Sequence, residues 1–201
     1  MKKFCIIHPT VGSISLLQPL ANSILPNDKV YNFMDDSFLL EVIEAGGITD
    51  TVRERVLRLV QAAALLEPDA ILIACAAIGD LAEDAKSVTD IPVKRIEEKM
   101  CAEAVKSGTV IGVAATIATA LPPICKLLNN IAAKQGKAVA LKECLIDDAN
   151  TIPEKIMALK KECDIVVLAQ PSMVQALSHI DEEREKYLAC PESGLQQLLD
   201  A

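Results

Sequence analysis

Two matching runs lie about half a chain apart: Asp69-Ala70-Ile71-Leu72-Ile73-Ala74-Cys75 and Asp164-Ile165-Val166-Val167-Leu168-Ala169-Gln170. Each opens on Asp, passes through apolar residues and a small Ala, and ends on a polar side chain. Cys75 offers a thiol, which works as an acid/base or a nucleophile once its thiolate is stabilised. Gln170 offers a neutral amide, which makes hydrogen bonds but exchanges no proton at ordinary pH. Cys75 leads into Ala76-Ala77-Ile78-Gly79, a small-residue turn into a helix whose first N–H groups favour an anion. The remaining cysteines (5, 101, 125, 144, 163 and 190) read as apolar packing. A second polar stretch, Ala114-Ala115-Thr116-Ile117-Ala118-Thr119, sets hydroxyls and backbone N–H groups between a strand and a helix. Thr116 and Thr119 there suit either a substrate carboxylate or an ordinary helix cap. His8, followed by Pro9 and Thr10, reads as a neutral-pH acid/base or as a loop hydrogen-bonding group. Asp35, Asp36 and Ser37 are acidic and hydroxyl groups of the same rim or of a solvated loop.

Those side chains need rigid elements behind them. Both runs have the character of strands buried on two faces, as in a parallel sheet covered by helices. Ligand chemistry in such sheets falls just beyond the carboxyl ends of the strands, so Cys75 and Gln170 are expected to face one another across a site built from two related halves. The remaining pattern alternates in the same way. Strands are predicted at 4–7, 30–33, 70–74, 92–96, 110–114, 139–141 and 165–168. Helices are predicted at 49–66, 79–87, 97–106, 121–135 and 153–162. Thr49 or Thr51 caps the first of these, and Gly108 ends the third as a left-handed residue. Pro122 and Pro123 fit only the first turn of theirs. The first strands of the two halves match as well: Ile7-His8-Pro9-Thr10-Val11 aligns with Val113-Ala114-Ala115-Thr116-Ile117, which puts Thr10 opposite Thr116. The pattern is that of a duplicated βαβ half-domain.

Composition narrows the partners. The 201 residues are 51% hydrophobic but only 2% aromatic, the make-up of aliphatic helices on a sheet. A formal charge of −8 without a Lys/Arg cluster or an aromatic platform argues against nucleic acid. Seven cysteines without C-x-x-C, beside two histidines, give neither a disulfide framework nor a metal site, and a reducing cytoplasm is the expected setting. The apolar stretch after Met1-Lys2-Lys3 is too short for a secretory signal, and no run approaches a membrane span. Glycine-rich phosphate loops are missing, so no nucleotide cofactor is indicated.

Together these residues resemble the aspartate/glutamate/hydantoin racemase superfamily over nearly the whole chain. The resemblance is carried by His8-Pro9-Thr10, by Cys75 at a strand end, by Ala115-Thr116-Ile117-Ala118-Thr119 in the A-T-x-x-T pattern, and by Ala169-Gln170-Pro171-Ser172. Tyr187-Leu188-Ala189-Cys190-Pro191-Glu192 looks like the return of the chain to its first half. The resemblance implies a pseudo-symmetric α/β fold of two flavodoxin-like halves, residues 1–96 with 186–201 and residues 97–185. It also implies chemistry at the alpha carbon of a small carboxylate without pyridoxal phosphate, metal or nucleotide, in a chain that can form a homodimer. In such enzymes two cysteines flank the alpha carbon, one removing a proton and the other supplying one. Cys75 matches the first, while Gln170 stands where the second would be. The implied substrate contacts are His8, Thr10, Thr116, Thr119, Gln170 and Ser172. A single thiol suits one-sided proton transfer, as in a decarboxylase or lyase, better than racemisation, unless His8 reaches the opposite face. The alternative class is a carboxylate-binding protein that kept the site and lost the chemistry. A thiol redox protein fits less well, because no resolving cysteine lies near Cys75.

Overall fold

The computed structural model describes residues 1–200, which form two compact units. The first comprises Met1–Ile96 and the tail from Pro191; the second is Glu97–Cys190. Each unit holds a four-stranded, wholly parallel sheet.

In the first unit the elements run β1 (Lys3–His8), α1 (Val11–Ile24), β2 (Lys29–Met34), α2 (Phe38–Ala45), α3 (Asp50–Ala64), β3 (Ala70–Ile73), α4 (Leu81–Asp84) and β4 (Val93–Arg95). In the second they run α5 (Glu98–Ser107), β5 (Val110–Ala115), α6 (Leu121–Lys134), β6 (Ala140–Leu145), α7 (Ile152–Lys160), β7 (Ile165–Leu168) and β8 (Tyr187–Ala189). A last helix, α8 (Cys190–Gln196), carries the chain back into the first unit. The sheet orders are β2-β1-β3-β4 and β6-β5-β7-β8, so the two units repeat one topology.

The central strands owe their place to the apolar runs. β3 is buried along its whole length and β7 likewise, as residues covered by helices on both faces must be. The edge strands β2 and β6 are mostly exposed. Asp69 and Asp164, which open the two runs, do the same work in both units. The Lys3 N–H donates to the Asp69 carboxylate at 2.7 Å, and the Val110 N–H donates to Asp164 at 2.9 Å. Each carboxylate therefore ties the start of one central strand to the start of its neighbour. The Val110 N–H, with the N–H and hydroxyl of Thr109, holds the Asp164 carboxyl below its usual range.

The hydrogen-bond register also corrects the internal alignment. The Ala74 N–H donates to the Ile7 carbonyl, and the Ala169 N–H donates to the Ala114 carbonyl, each at 2.9 Å. Ile7 is thus equivalent to Ala114, and Pro9 rather than Thr10 is equivalent to Thr116. The one-residue slip arises because a Thr-to-Thr match outweighs the register when only side-chain types are compared. At the second anchor no slip occurs: Cys75 and Gln170 are equivalent.

Other departures have local causes. α1 contains Pro19 in its interior, which removes a helix N–H and interrupts the sequence pattern, so that 11–24 gave no clear helix signal. The expected helix at 79–87 is reduced to the four-residue α4 and the 3-10 turn Ala85–Ser87 that follows it. Gly108 is extended, with φ −148°, and not left-handed. Its lack of a side chain serves a close approach instead, since a Cβ there would lie 3.0 Å from that of Asp164. The return to the first unit comes at Pro191 and not at Lys186, because β8 adds to the second sheet beside β7.

Candidate functional site

In a 2-1-3-4 parallel sheet the connections leave the first strand in one direction and the third in the other. The crevice outside the carboxyl ends of those two strands is the natural place for a ligand. In the first unit that crevice lies between the ends of β1 and β3, and in the second between the ends of β5 and β7. The residues singled out above occupy these ends.

Cys75 lies two residues past β3, where Ala74 has already made the last ladder bond to Ile7. Its backbone is extended, at φ −153° and ψ 117°, and its carbonyl accepts from the Ile78 N–H at 3.3 Å, which opens the 3-10 turn Ala76–Ile78. The thiol is thus at the cap of a tight turn of small residues and is 5% exposed. The turn is anchored from the next strand. Arg95, paired with Ile73 in the β3–β4 ladder, donates from Nη1 to the Asp80 carboxylate at 2.8 Å. A Cβ on Gly79 would come within 2.7 Å of that guanidinium, so only glycine lets Arg95 lie flat on the turn. Arg95 and Asp80 escaped the sequence reading, and no signal in the sequence marks either.

For His8 the structure shows the hydrogen-bonding alternative. The histidine is the last residue of β1, is fully buried, and has both ring nitrogens engaged. Asn32 donates from Nδ2 to the Gln18 Oε1 at 2.5 Å, so its own Oδ1 is turned to His8 Nε2 at 2.9 Å. Nε2 must then carry the proton, and Nδ1 accepts from the Ser13 hydroxyl at 2.8 Å. Burial pushes the imidazole down to about 4 against the smaller, opposing pull of the Asn32 hydrogen bond. The imidazole is thus buried with both nitrogens engaged within the first unit. Thr10 caps α1, its hydroxyl accepting from the Ser13 N–H at 3.2 Å. Asp35 and Ser37 close on one another. The carboxylate accepts from the Ser37 N–H at 2.9 Å and from its hydroxyl at 2.5 Å, with Arg55 at 3.6 Å. Burial raises the Asp35 carboxyl, but these hydrogen bonds and Arg55 outweigh it and hold the group below its usual range.

In the second unit Gln170 takes the place of Cys75. Like Cys75 it is extended and caps a 3-10 segment, here Pro171–His179. Its side chain is 8% exposed and spans the crevice to Thr116. The Thr116 N–H donates to Gln170 Oε1, and Gln170 Nε2 donates to Thr116 Oγ1, both at 2.7 Å. Thr119 lies on the following 3-10 turn with its Oγ1 buried and without a hydrogen-bond partner. Thr116 and Ser172 line a cavity of about 440 Å³ together with Asn150, Met173 and His179. Three of the expected contacts, Thr116, Ser172 and, behind them, Gln170, are therefore gathered at one sheet end. Asn150 and His179 were missed, and no signal in the sequence marks either. Asn150 enters because the loop after β6 folds over the same end, where Asp148 accepts its backbone N–H at 2.9 Å.

Among the described residues no group of three or more His, Cys, Asp or Glu side chains could hold a metal ion. Within those residues no helix is long and apolar enough to cross a membrane.

The family model for Asp/Glu/hydantoin racemase matches residues 10–186. No curated protein sequence matches the chain significantly. Solved structures share the fold at low identity. An aspartate racemase homologue from Pyrococcus horikoshii is 14% identical at TM-score 0.73, over 100% of this chain and 98% of that one. The allantoin racemase of Klebsiella pneumoniae is 17% identical at TM-score 0.72, over 100% and 87%. The maleate isomerase of Pseudomonas putida is 13% identical at TM-score 0.58, over 94% and 87%.

Proposed function

This chain belongs to the Asp/Glu/hydantoin racemase family, and we propose that it is a cofactor-independent enzyme acting at the alpha carbon of a small carboxylate with a single thiol, Cys75. One observation carries the reading. Cys75 and Gln170 hold equivalent positions at the ends of β3 and β7, but only one of them can move a proton. Gln170 is, moreover, committed to Thr116 by two short hydrogen bonds. His8, the other group that could have served, is buried, neutral and doubly engaged.

One-sided chemistry follows. In a decarboxylation the bond from the alpha carbon to a carboxylate breaks, carbon dioxide leaves, and the electron pair remains as an enolate. The Cys75 thiol then delivers its proton to that carbon and is left as a thiolate, which solvent reprotonates. Within the second unit, the Thr116 and Ser172 hydroxyls that line its cavity are donors suited to a carboxylate oxygen. The same groups serve proton exchange without decarboxylation if the acid keeps its carboxylates.

The experiment is a screen of amino, hydroxy and malonate-type acids in deuterium oxide, reading label at the alpha carbon by mass spectrometry. Incorporation or release of carbon dioxide with at least one class is expected. Its loss in Cys75→Ser is also expected, by about 10²–10⁴-fold if the thiol acts as general acid/base. Binding without label in any class would instead make the chain a carboxylate-binding member of the family, the reading favoured by the neutral amide at Gln170.

A further inference from the structure

Gln170 shares two hydrogen bonds with Thr116, and their directions are fixed by elimination. A backbone N–H can only donate, so the atom of the carboxamide facing the Thr116 N–H at 2.7 Å is the oxygen. The nitrogen of the same planar group is thereby turned toward Thr116 Oγ1, also at 2.7 Å. An amide nitrogen can only donate, so the hydroxyl oxygen accepts. Its own O–H is then excluded from the pair and must point elsewhere. Thr116 lines the 440 Å³ cavity shared with Asn150, Ser172 and His179, whereas Gln170 stands behind it.

From this chain of constraints we infer that Gln170 is a positioning residue which sets the Thr116 hydroxyl as a hydrogen-bond donor to an acceptor group of the ligand, an ionised carboxylate. The inference rests on the carboxylate-binding part of the proposed function and adds the device that gives this half of the site its preference. A thiol at position 170 would leave the threonine hydroxyl able to donate or accept. The carboxamide occupies one of the hydroxyl's two lone pairs and keeps its O–H free to donate. It also takes the Thr116 N–H for itself, so the acid group is met by hydroxyl donors and not by that backbone N–H. A ligand that presents a donor, such as an amine, makes no use of the freed O–H and meets only the hydroxyl's remaining lone pair.

The test is a double-mutant cycle on binding. Acetate and malonate are titrated into ¹⁵N-labelled protein, with methylamine as the donor-bearing control, and the Thr116 and Ser172 amide shifts give the affinities. Thr116→Ser retains the hydroxyl and is expected to bind malonate within about threefold of wild type. Thr116→Val is expected to bind about 10–100-fold more weakly, the scale of a lost hydrogen bond to a charged group. Gln170→Met is expected to weaken binding as well, while Gln170→Met/Thr116→Val is no weaker than Thr116→Val alone, because Gln170 acts only through Thr116. In the ligand-free protein the Gln170 side-chain amide protons are protected from exchange, and Thr116→Val removes the protection. Additive losses, or unchanged affinity in Thr116→Val, overturn the inference, as does absence of binding by either acid to wild type. Should Gln170→Met fail to fold, the Thr116→Ser and Thr116→Val pair and the exchange measurement still decide. Binding that follows this pattern without turnover defeats the catalytic reading and leaves the inference standing. Turnover with carboxylate affinity indifferent to Thr116 does the reverse.

Discussion

Protonating His8 should destabilise this protein from within its first unit. Its imidazole is fully buried, holds Asn32 and Ser13, and is pushed down to about 4 from the ordinary value of 6.5. A histidine depressed in the folded state binds fewer protons there than in the unfolded chain. Stability is therefore intact above pH 6.5 and falls as the pH drops from 6.5 toward 4, where the folded state also begins to protonate. At about 1.4 kcal/mol per pH unit, the gap corresponds to about 2 kcal/mol lost by pH 5 and about 3 kcal/mol by pH 4. Depressed carboxyls such as Asp35 and Asp164 add their own acid sensitivity at lower pH, so the measurement must be a difference. Urea unfolding of wild type and His8→Gln is followed at pH 7.5, 6, 5 and 4.5. The variant is less stable at neutral pH, having lost a shaped hydrogen-bond network, but its stability falls less on going from pH 7.5 to 5, by about 2 kcal/mol. A proton NMR titration checks the cause directly, because the chain has only two histidines. Parallel stability curves, or a His8 ring that titrates near 6.5 in the folded protein, would refute the reasoning and return His8 to the list of acid/bases.

Native alkylation with a small reagent, followed by mass mapping, should modify Cys75 first, because it caps a turn of small residues whose backbone N–H groups favour an anion. Its rivals are dulled by burial, which pushes Cys5 up to about 11 and, with Glu143, Cys125 up to about 12; Cys125 or Cys144 reacting first, with Cys75 untouched, would count against an active thiol. Gln170→Cys should create or raise alpha-proton exchange on an acid that wild type binds, and Cys75→Ala/Gln170→Cys should lose the gain; a folded, acid-binding variant without exchange would sink the positional match with a second thiol. Gly194→Ala should shift the denaturation midpoint by the cost of overpacking, about 1–3 kcal/mol, because its Cβ would meet the Ile96 carbonyl oxygen at 2.5 Å. An unchanged midpoint there would show that α8 moves away freely.

What the sequence determined is what depends on local pattern. Apolar runs opened by Asp69 and Asp164 specified two buried strands, and the polar residues ending them specified Cys75 and Gln170 as equivalent, because a parallel strand buried on both faces tolerates polarity only at its ends. The cap of α3 was legible as Thr49 or Thr51, of which the structure uses Thr49, and Pro122-Pro123 as a first turn, for the same reason: each acts on its own neighbours. Tertiary structure decided everything that depends on a partner from elsewhere in the chain. His8 became a buried neutral group because Asn32 and Ser13, on β2 and α1, close over it. Arg95 came to rest on Gly79 through the β3–β4 ladder, and Gly108 is small because Asp164 approaches it. Thr116 acquired its hydroxyl direction from a residue 54 positions away. Residue type states what a side chain can donate, accept or titrate; which of those capacities is already spent depends on the neighbours that folding supplies.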